Sequence, residues 1–222
     1  MCITDNEIYM KIDRLKNNIK EYYDKESEFR NSKQDKPEWK IREREKFLNL
    51  LKQEKKETLL ELGAGAGYDS LFFMNNGLKV TAIDISASMV KNCREKSIEA
   101  YETDFYQLSS LGRKFDSVWA LNTLLHVPKP DLPHVLKEIN QVLKINGLFY
   151  MGLYGGDDTE KEIVKAEISD VPRYFVFHSG KFLEAQLKDF FNIINFETVK
   201  INRENDNEEF IFHSITMEKK PL

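Results

Sequence analysis

Residues 60–68 read Leu60-Glu61-Leu62-Gly63-Ala64-Gly65-Ala66-Gly67-Tyr68 and hold three of the chain's ten glycines. The stretch follows an apolar run and precedes a helical pattern, which predicts a strand, a tight turn and a helix. Glycine adopts backbone conformations closed to other residues and lets a flat ligand approach the main chain. In an open α/β sheet such a turn lies at the carboxyl ends of the strands, where these folds bind their ligands. The stretch therefore predicts a ligand site.

The glycine spacing disfavours two common nucleotide-binding motifs. A dinucleotide fingerprint needs Gly-x-Gly-x-x-Gly, but the sixth position is Tyr68 when counted from Gly63 and Ser70 when counted from Gly65. No Gly-Lys-Ser/Thr follows, so the turn is not a P-loop. A nicotinamide-dependent oxidoreductase is thus the weaker interpretation.

Two acidic residues follow the glycine turn, each at the end of a predicted strand. Asp84 ends the second strand, where a carboxylate can accept hydrogen bonds from ribose hydroxyls. Asp104 closes the third strand, where it can accept a hydrogen bond from an adenine amino group between the side chains of Ile85 and Phe105. Either acid alone is more typical of a loop cap or a surface carboxylate. Three ligand-type features at successive strand ends favour a nucleoside-like ligand.

The remaining pattern predicts an α/β fold with a mostly parallel sheet, because short apolar runs alternate with helical stripes. Two helices precede residue 58, the second over 39–51. Beyond it we predict strands at 58–62, 78–84, 99–103, 115–121 and 147–154, with helices at 68–75, 87–96, 131–144 and 180–191. Residues 157–172 are polar and carry no predicted element. Strands at 196–201 and 210–217 are predicted to form a hairpin through Asn205-Asp206-Asn207.

Composition narrows the class of protein. The 222 residues carry 33 Lys and Arg against 37 Asp and Glu, a formal charge of −4, and the sequence pI is near 5.7. That balance makes a nucleic-acid or anionic-membrane partner improbable, because no global positive field attracts phosphates. Cys2 and Cys93 cannot form a disulfide framework, and no signal peptide or apolar span is evident, so we expect a cytoplasmic protein.

The motifs Glu-Leu-Gly-Ala-Gly-Ala-Gly, Ile-Asp-Ile-Ser, Thr-Asp-Phe and Phe-Asp-Ser-Val-Trp-Ala together resemble the class I S-adenosylmethionine-dependent methyltransferases. The resemblance is strong over residues 58–155. It implies a three-layer, doubly wound sheet of seven strands in the order 3-2-1-4-5-7-6 with strand 7 antiparallel. It also implies a cofactor-binding domain over 58–222, preceded by a helical cap over 1–57 that covers the substrate. Asn146 stands where the family often has glycine, and asparagine tolerates the left-handed turn.

The resemblance also assigns residues to the cofactor S-adenosyl-L-methionine. The pocket for its methionine part would be shaped by the turn residues, and its ribose and adenine would be bound at the ends of strands two and three. Ala120 to Asn122 would lie near the sulfonium, and Tyr22 and Tyr23 are candidates for cation–π contact with it, although core packing is the more common role for such tyrosines. The full predicted set is Glu61, Gly63, Ala64, Gly65, Gly67, Asp84, Ile85, Asp104, Phe105, Ala120, Leu121, Asn122, Tyr22 and Tyr23.

Acceptor chemistry is less constrained. His126, just past the fourth strand, is a candidate general base, with a loop-positioning role as the equal alternative. Substrate contacts are predicted for Tyr154, Asp157, Arg173 and Tyr174. No histidine has metal-ligand spacing, so no metal site is predicted. The sequence lacks the Pro-Pro-Tyr and Pro-Cys motifs of DNA methyltransferases after strand four, which favours an N, O or S atom of a small molecule.

Three alternatives stay open at this point: a protein or peptide acceptor, an RNA acceptor, and a non-catalytic cofactor-binding partner subunit. We expect a monomer or homodimer.

Overall fold

The computed structural model describes residues 5–33, 36–202 and 209–220. Two helices, α1 (Asp5–Ser32) and α2 (Glu38–Gln53), precede the first strand, β1 (Thr58–Leu62). The other elements follow in chain order: α3 (Tyr68–Asn75), β2 (Lys79–Asp84), α4 (Ala87–Glu95), β3 (Glu99–Glu102), β4 (Phe115–Leu121), α5 (Leu132–Val142), β5 (Leu143–Tyr154), β6 (Thr159–Lys165), β7 (Ser169–Phe177), α6 (Gly180–Leu187), β8 (Phe191–Asn202) and β9 (Glu209–Lys219).

Seven strands form the central sheet in the order β3-β2-β1-β4-β5-β9-β8. Strands β1 to β5 pair in parallel, whereas β9 pairs antiparallel with both β5 and β8. With β8 and β9 counted as the sixth and seventh strands of the sheet, this is the predicted order 3-2-1-4-5-7-6. The predicted fold is therefore confirmed.

Both faces of the sheet are covered, which explains why four consecutive residues of β1, Leu59 to Leu62, are buried. On one face, Phe47 of α2 and Phe73 of α3 pack against Trp119 and Tyr150, whose rings stack with centroids 4.1 Å apart. On the other face, α5 and α6 cover the alternate strand residues, including Val118. No helix within the described part of the chain is both long and apolar enough to cross a membrane.

The polar stretch 157–172 differs from the prediction. Most of it belongs to a second, two-stranded sheet in which β6 and β7 pair antiparallel. Every residue of β6 is exposed, so the strand has no buried face to produce an alternating apolar pattern. Sequence periodicity therefore carried no signal for it.

Several boundaries also differ. Helix α5 ends at Val142 rather than at 144, and β8 starts at Phe191, which the prediction placed in the preceding helix. Asn146 adopts φ +58°, the left-handed conformation expected of it. The predicted turn at Asn205-Asp206-Asn207 lies outside the described residues.

Candidate cofactor and acceptor cleft

A cleft of about 330 Å³ opens at the carboxyl ends of β1, β2 and β4. Helix α1 and the segment that leads into α2 form its roof, and the glycine turn after β1 forms its floor. Its volume is in the range of small-molecule sites in proteins. The predicted site residues that line it are Glu61, Gly63, Ala64, Gly65, Asp84, Ile85, Phe105, Leu121, Asn122, Tyr23 and His126.

The three glycines of the turn all have positive φ, between +54° and +81°. They differ in what surrounds them. A Cβ atom on Gly63 would lie 2.1 Å from Oγ1 of Thr123, and one on Gly67 would lie 2.7 Å from Cδ1 of Ile98. A Cβ atom on Gly65 would meet nothing within 4 Å. Gly63 and Gly67 therefore permit close packing of the turn, whereas Gly65 leaves open space beside the cleft.

Asp84 ties the turn to the end of β2. Its Oδ2 accepts a hydrogen bond from the backbone N–H of Gly65 at 2.8 Å, and its Oδ1 accepts one from the N–H of Ser86 at 2.9 Å. Burial raises the pKa of this carboxyl, while the two N–H donors oppose that rise. The carboxyl is thus held rigidly at the edge of the cleft.

Two buried carboxyls, Glu61 and Asp69, line the cleft together. Asp69 pairs with Lys36 at 2.5 Å and with Arg44 at 3.3 Å, and although burial opposes it, these cations lower its pKa. Glu61 accepts a hydrogen bond from the Ser70 hydroxyl, and among the described residues it has no cation within salt-bridge distance. Burial and then the Asp69 charge raise the pKa of Glu61 to about 8. Burial and the neighbouring Asp69 thus favour the protonated form of Glu61.

His126 is held between α1 and β7. Its Nδ1 lies 2.7 Å from the backbone oxygen of Tyr174, and its Nε2 lies 2.9 Å from the hydroxyl of Tyr23. A carbonyl oxygen only accepts, so Nδ1 carries the proton and Nε2 accepts from Tyr23. Burial lowers the pKa of His126 to about 4, and the imidazole is therefore neutral. Because both nitrogens are occupied, His126 reaches a ligand only through Tyr23.

Residues 59–147 match the methyltransferase domain family. These residues form a methyltransferase domain. Two curated proteins are each 30% identical to it over 105 residues: a 27-O-demethylrifamycin SV methyltransferase of Amycolatopsis mediterranei and a malonyl-[acyl-carrier protein] O-methyltransferase of Hamiltonella defensa. The alignments cover 43% and 46% of this chain but only 38% and 40% of those proteins.

A solved structure shares the architecture over the whole chain. The 1,6-didemethyltoxoflavin-N1-methyltransferase of Burkholderia thailandensis aligns with a TM-score of 0.68 at 16% identity, over 100% of this chain and 93% of that one. At that identity the likeness is one of fold. The N-terminal helices are thus included in the shared fold.

Some residues predicted to bind the cofactor lie outside the cleft of the methyltransferase domain. Gly67 is the N-cap of α3, Ala120 is buried in the core, and Tyr22 is fully buried within the protein. Asp104 lines a smaller cavity of about 30 Å³ beside the cleft. There it forms an ion pair with Lys16 at 2.7 Å and accepts from the N–H of Tyr106 at 2.8 Å.

The predicted substrate residues do not line the cleft either. The Arg173 guanidinium lies 3.9 Å from the ring centre of Tyr22. Tyr174 is buried, and its backbone oxygen accepts a hydrogen bond from Nδ1 of His126. The Tyr154 ring packs near Trp39, and Asp157 is exposed. Arg173 and Tyr174 therefore support the cleft wall from behind.

No motif in the sequence indicated the residues that form the roof. Glu26, Arg30, Lys36 and Lys40 line the methyltransferase cleft from the N-terminal helices and the segment between them. They belong to charged stretches that resemble an ordinary solvated helix face, so no local signal separates them from surface residues. Asp69 was missed for a similar reason: it is an acid in the first turn of α3, a position favoured simply by the helix dipole.

Proposed function

We propose that this protein transfers a methyl group from S-adenosyl-L-methionine to a nitrogen, oxygen or sulfur atom of a small molecule. The observation that carries the proposal is the convergence of the glycine turn, Glu61 and Asp84 on one roofed cleft. The family match over residues 59–147 supports the same activity.

The residues that line the cleft fit the chemical groups of this cofactor. Glu61 is a buried acid without a salt-bridge partner among the described residues, and it is suited to the ammonium of the methionine part. The open space at Gly65 lets a ligand approach the main chain. The Asp84 carboxylate, whose Oδ2 lies 2.8 Å from the Gly65 nitrogen, is suited to accept hydrogen bonds from the ribose hydroxyls. Ile85 and Phe105 supply apolar contact for a flat ring. Asp104 would have to bind the adenine amino group while paired with Lys16.

Bound S-adenosylmethionine supplies a methyl group already activated by a positively charged sulfur. The protein must then align the acceptor, exclude water and remove one proton. Helix α1 is suited to the first two tasks, because its residues Ile19, Tyr23 and Phe29 lie over the cleft. Tyr23 and His126 are suited to the third.

A small acceptor is supported by the roof and by the comparisons. Helix α1 restricts access to the strand ends, and its hydrogen bonds to α4 hold it in place: Asp24 accepts from the Ser86 hydroxyl at 2.6 Å and from the Ser88 N–H at 3.0 Å. The two curated relatives are named as methyltransferases of 27-O-demethylrifamycin SV and of malonyl-[acyl-carrier protein], and the similar solved structure as one of 1,6-didemethyltoxoflavin. The cytoplasmic location, the monomer or homodimer state and the division into domains at residue 58 remain predictions.

Isothermal titration with S-adenosylmethionine and its product S-adenosylhomocysteine tests the proposal. We expect both to bind, and Asp84→Asn to weaken binding by roughly ten- to a hundredfold, the value of one or two lost charge-assisted hydrogen bonds. The control is Asp189→Asn, which removes the charge of an exposed acid after α6 and should leave affinity unchanged. Absence of binding to the wild type would overturn the proposal. Binding without turnover of any acceptor would favour a non-catalytic subunit.

A further inference from the structure

The Tyr23–His126 hydrogen bond lies where the cleft wall meets β7, and its donor and acceptor could not be assigned from the sequence. We propose that Tyr23 is the catalytic residue that contacts the acceptor, and that His126 is a positioning residue that acts through the Tyr23 hydroxyl. The inference rests on the proposed methyl transfer, and it specifies an acceptor that carries a removable proton: a hydroxyl, a thiol or an amine.

The direction of the hydrogen bonds decides which residue faces the acceptor. The Tyr174 carbonyl fixes the Nδ1 proton of His126, so Nε2 offers its lone pair to the Tyr23 hydroxyl 2.9 Å away. The Tyr23 proton is therefore directed to His126, and the lone pairs of its oxygen are left for another donor. Tyr23 lines the cleft, and an acceptor that offers an O–H, S–H or N–H is the complementary partner.

The surroundings keep the imidazole neutral before the reaction. His126 is 7% exposed and lies against the Phe175 ring, with centroids 4.8 Å apart. Its charged neighbours are the guanidiniums of Arg30 on α1 and Arg173 on β7, and both disfavour an imidazolium. Both also lie beside Tyr23, at 5.0 and 6.0 Å from its ring centre. A neutral imidazole is the form that can receive a proton.

The proton transfer balances with the methyl transfer. As the acceptor atom forms its bond to the methyl carbon and the carbon–sulfur bond breaks, the acceptor proton moves to the Tyr23 oxygen. The Tyr23 proton moves at the same time to Nε2 of His126. The positive charge gained by the imidazole replaces the one lost at sulfur, so the net charge of the site is unchanged. His126 then releases the proton to solvent, which its burial and the two guanidiniums favour.

Nitrogen-15 NMR of histidine-labelled protein tests the hydrogen-bond direction without any turnover. The chain has four histidines, and His126→Gln assigns the signal. We expect a neutral ring at pH 7 with Nδ1 protonated, and a clear shift of the Nε2 resonance in Tyr23→Phe. The matched control is Tyr150→Phe, which removes a buried tyrosine hydroxyl bonded to Glu43 outside the cleft and should leave that resonance in place. A protonated Nε2, or a resonance that ignores Tyr23→Phe, overturns the inference.

Turnover tests the catalytic role. The probe is methyl-deuterated S-adenosylmethionine with a deproteinised cell extract, and the readouts are S-adenosylhomocysteine and labelled product. We expect Tyr23→Phe to lower kcat about a hundredfold or more, with KM for the cofactor within about twofold, and Tyr150→Phe to stay within about threefold of the wild type. His126→Gln should lower kcat by about tenfold or more, and the kcat of the wild type should be flat between pH 6 and 8 because His126 stays neutral.

Three outcomes overturn the inference while leaving cofactor binding intact. They are a Tyr23→Phe variant as active as the wild type, an acid limb near pH 6.5 that His126→Gln removes, and cofactor binding with no labelled product. Failure of the wild type to bind cofactor at all is a different result, since it rejects the proposed function itself.

Discussion

The two ends of the cleft are built in different ways. At the glycine turn, residues 61–67 and Asp84 come from adjacent parallel strands, and the backbone itself makes the contacts: Gly65 donates to Asp84 at 2.8 Å. At the other end, Tyr23 on α1, His126 after β4 and Tyr174 on β7 are separated in sequence by 103 and 48 residues and meet at the His126 ring, which contacts the Tyr23 hydroxyl and the Tyr174 backbone oxygen. The first end depends on backbone shape, whereas the second depends on how α1 and the β6–β7 hairpin are placed.

The largest effect should come from breaking the backbone end with Gly63→Ala. The residue has φ +65°, and the new Cβ would lie 2.1 Å from Oγ1 and 2.8 Å from Cβ of Thr123. The left-handed conformation costs roughly 1–2 kcal/mol and overpacking roughly 1–3 kcal/mol more. We expect loss of about 3 kcal/mol in the free energy of unfolding by urea, and loss of measurable S-adenosylhomocysteine binding by titration.

The control for that substitution is Gly77→Ala. Gly77 also has positive φ, at +95°, but a Cβ there would meet nothing within 4 Å. The Gly77→Ala variant should lose only the cost of the left-handed conformation, roughly 1–2 kcal/mol of unfolding free energy, and keep full affinity for S-adenosylhomocysteine. Equal effects at the two glycines would mean that the contact with Thr123 is unimportant.

The difference between the two ends also explains what the sequence could predict. The sheet order, which the resemblance implied, is confirmed. The turn could be located because its motif is local, an apolar strand, glycines and then an acid at the next strand end, and the structure places it in the cleft. The β6–β7 hairpin was not predictable, since all of β6 is exposed and lacks alternation. Asp104 was placed at the correct strand end, but its ion pair with Lys16 on α1 could not be foreseen. Contacts between distant elements leave no periodic signal in either partner.

His126 shows how far the role of a single residue can be predicted from the sequence. Its position past β4 marked it as a site residue, and it does line the cleft. Its role depends on whether the ring nitrogens are free, and that is decided by Tyr23 and by the carbonyl of Tyr174. Neither partner is near it in sequence. Arg173 is the converse case, because it was predicted to contact the substrate, whereas its guanidinium stacks on the Tyr22 ring.

The next effect is a pH dependence at the backbone end. The pKa of Glu61 is raised to about 8 by burial and by Asp69, so the protonated carboxyl is favoured at pH 6 to 7.5. A ligand ammonium requires the ionised carboxylate, and binding must therefore release a proton. We expect the affinity for S-adenosylhomocysteine to rise with pH over this range, by up to about tenfold per unit, as a linked protonation requires.

Glu61→Gln separates this effect from other titrations. The variant keeps the shape of the side chain but has no proton to release, so its affinity should be weaker at pH 7.5 and nearly independent of pH. Titrations in two buffers of different ionisation enthalpy count the protons released by the wild type. A wild-type affinity that stays level from pH 6 to 7.5, with no proton released, contradicts the assignment of Glu61 to the ammonium.

A smaller effect should follow from loosening the roof with Asp24→Ala. The Asp24 carboxylate accepts hydrogen bonds from the Ser86 hydroxyl and the Ser88 N–H at the start of α4, shortly after Asp84 in the chain. Losing both hydrogen bonds should cost about 1–2 kcal/mol of unfolding free energy. Urea unfolding measures it, with Asp13→Ala on an exposed position of the same helix as the control. A loss no greater than that of the control would mean that α1 is held by its apolar contacts alone.

The smallest effect should be that of Lys20→Ala. Lys20 lies on α1, like Asp24, and faces the same edge of the sheet. Lys20 pairs with Glu102 of β3, but the two side chains are 40% and 44% exposed. Solvent and salt screen such a pair, so its removal should change the unfolding free energy by less than about 1 kcal/mol and cofactor affinity by less than about twofold. Any difference from the wild type should vanish between about 0.1 and about 1 M salt, as the screening length falls from about 10 to about 3 Å. A larger effect that salt abolishes would mean that surface charge, rather than the part-buried contacts of Asp24 and Tyr23, fixes α1 over the cleft. An effect that salt leaves unchanged would mean that Lys20 acts through packing rather than through its charge.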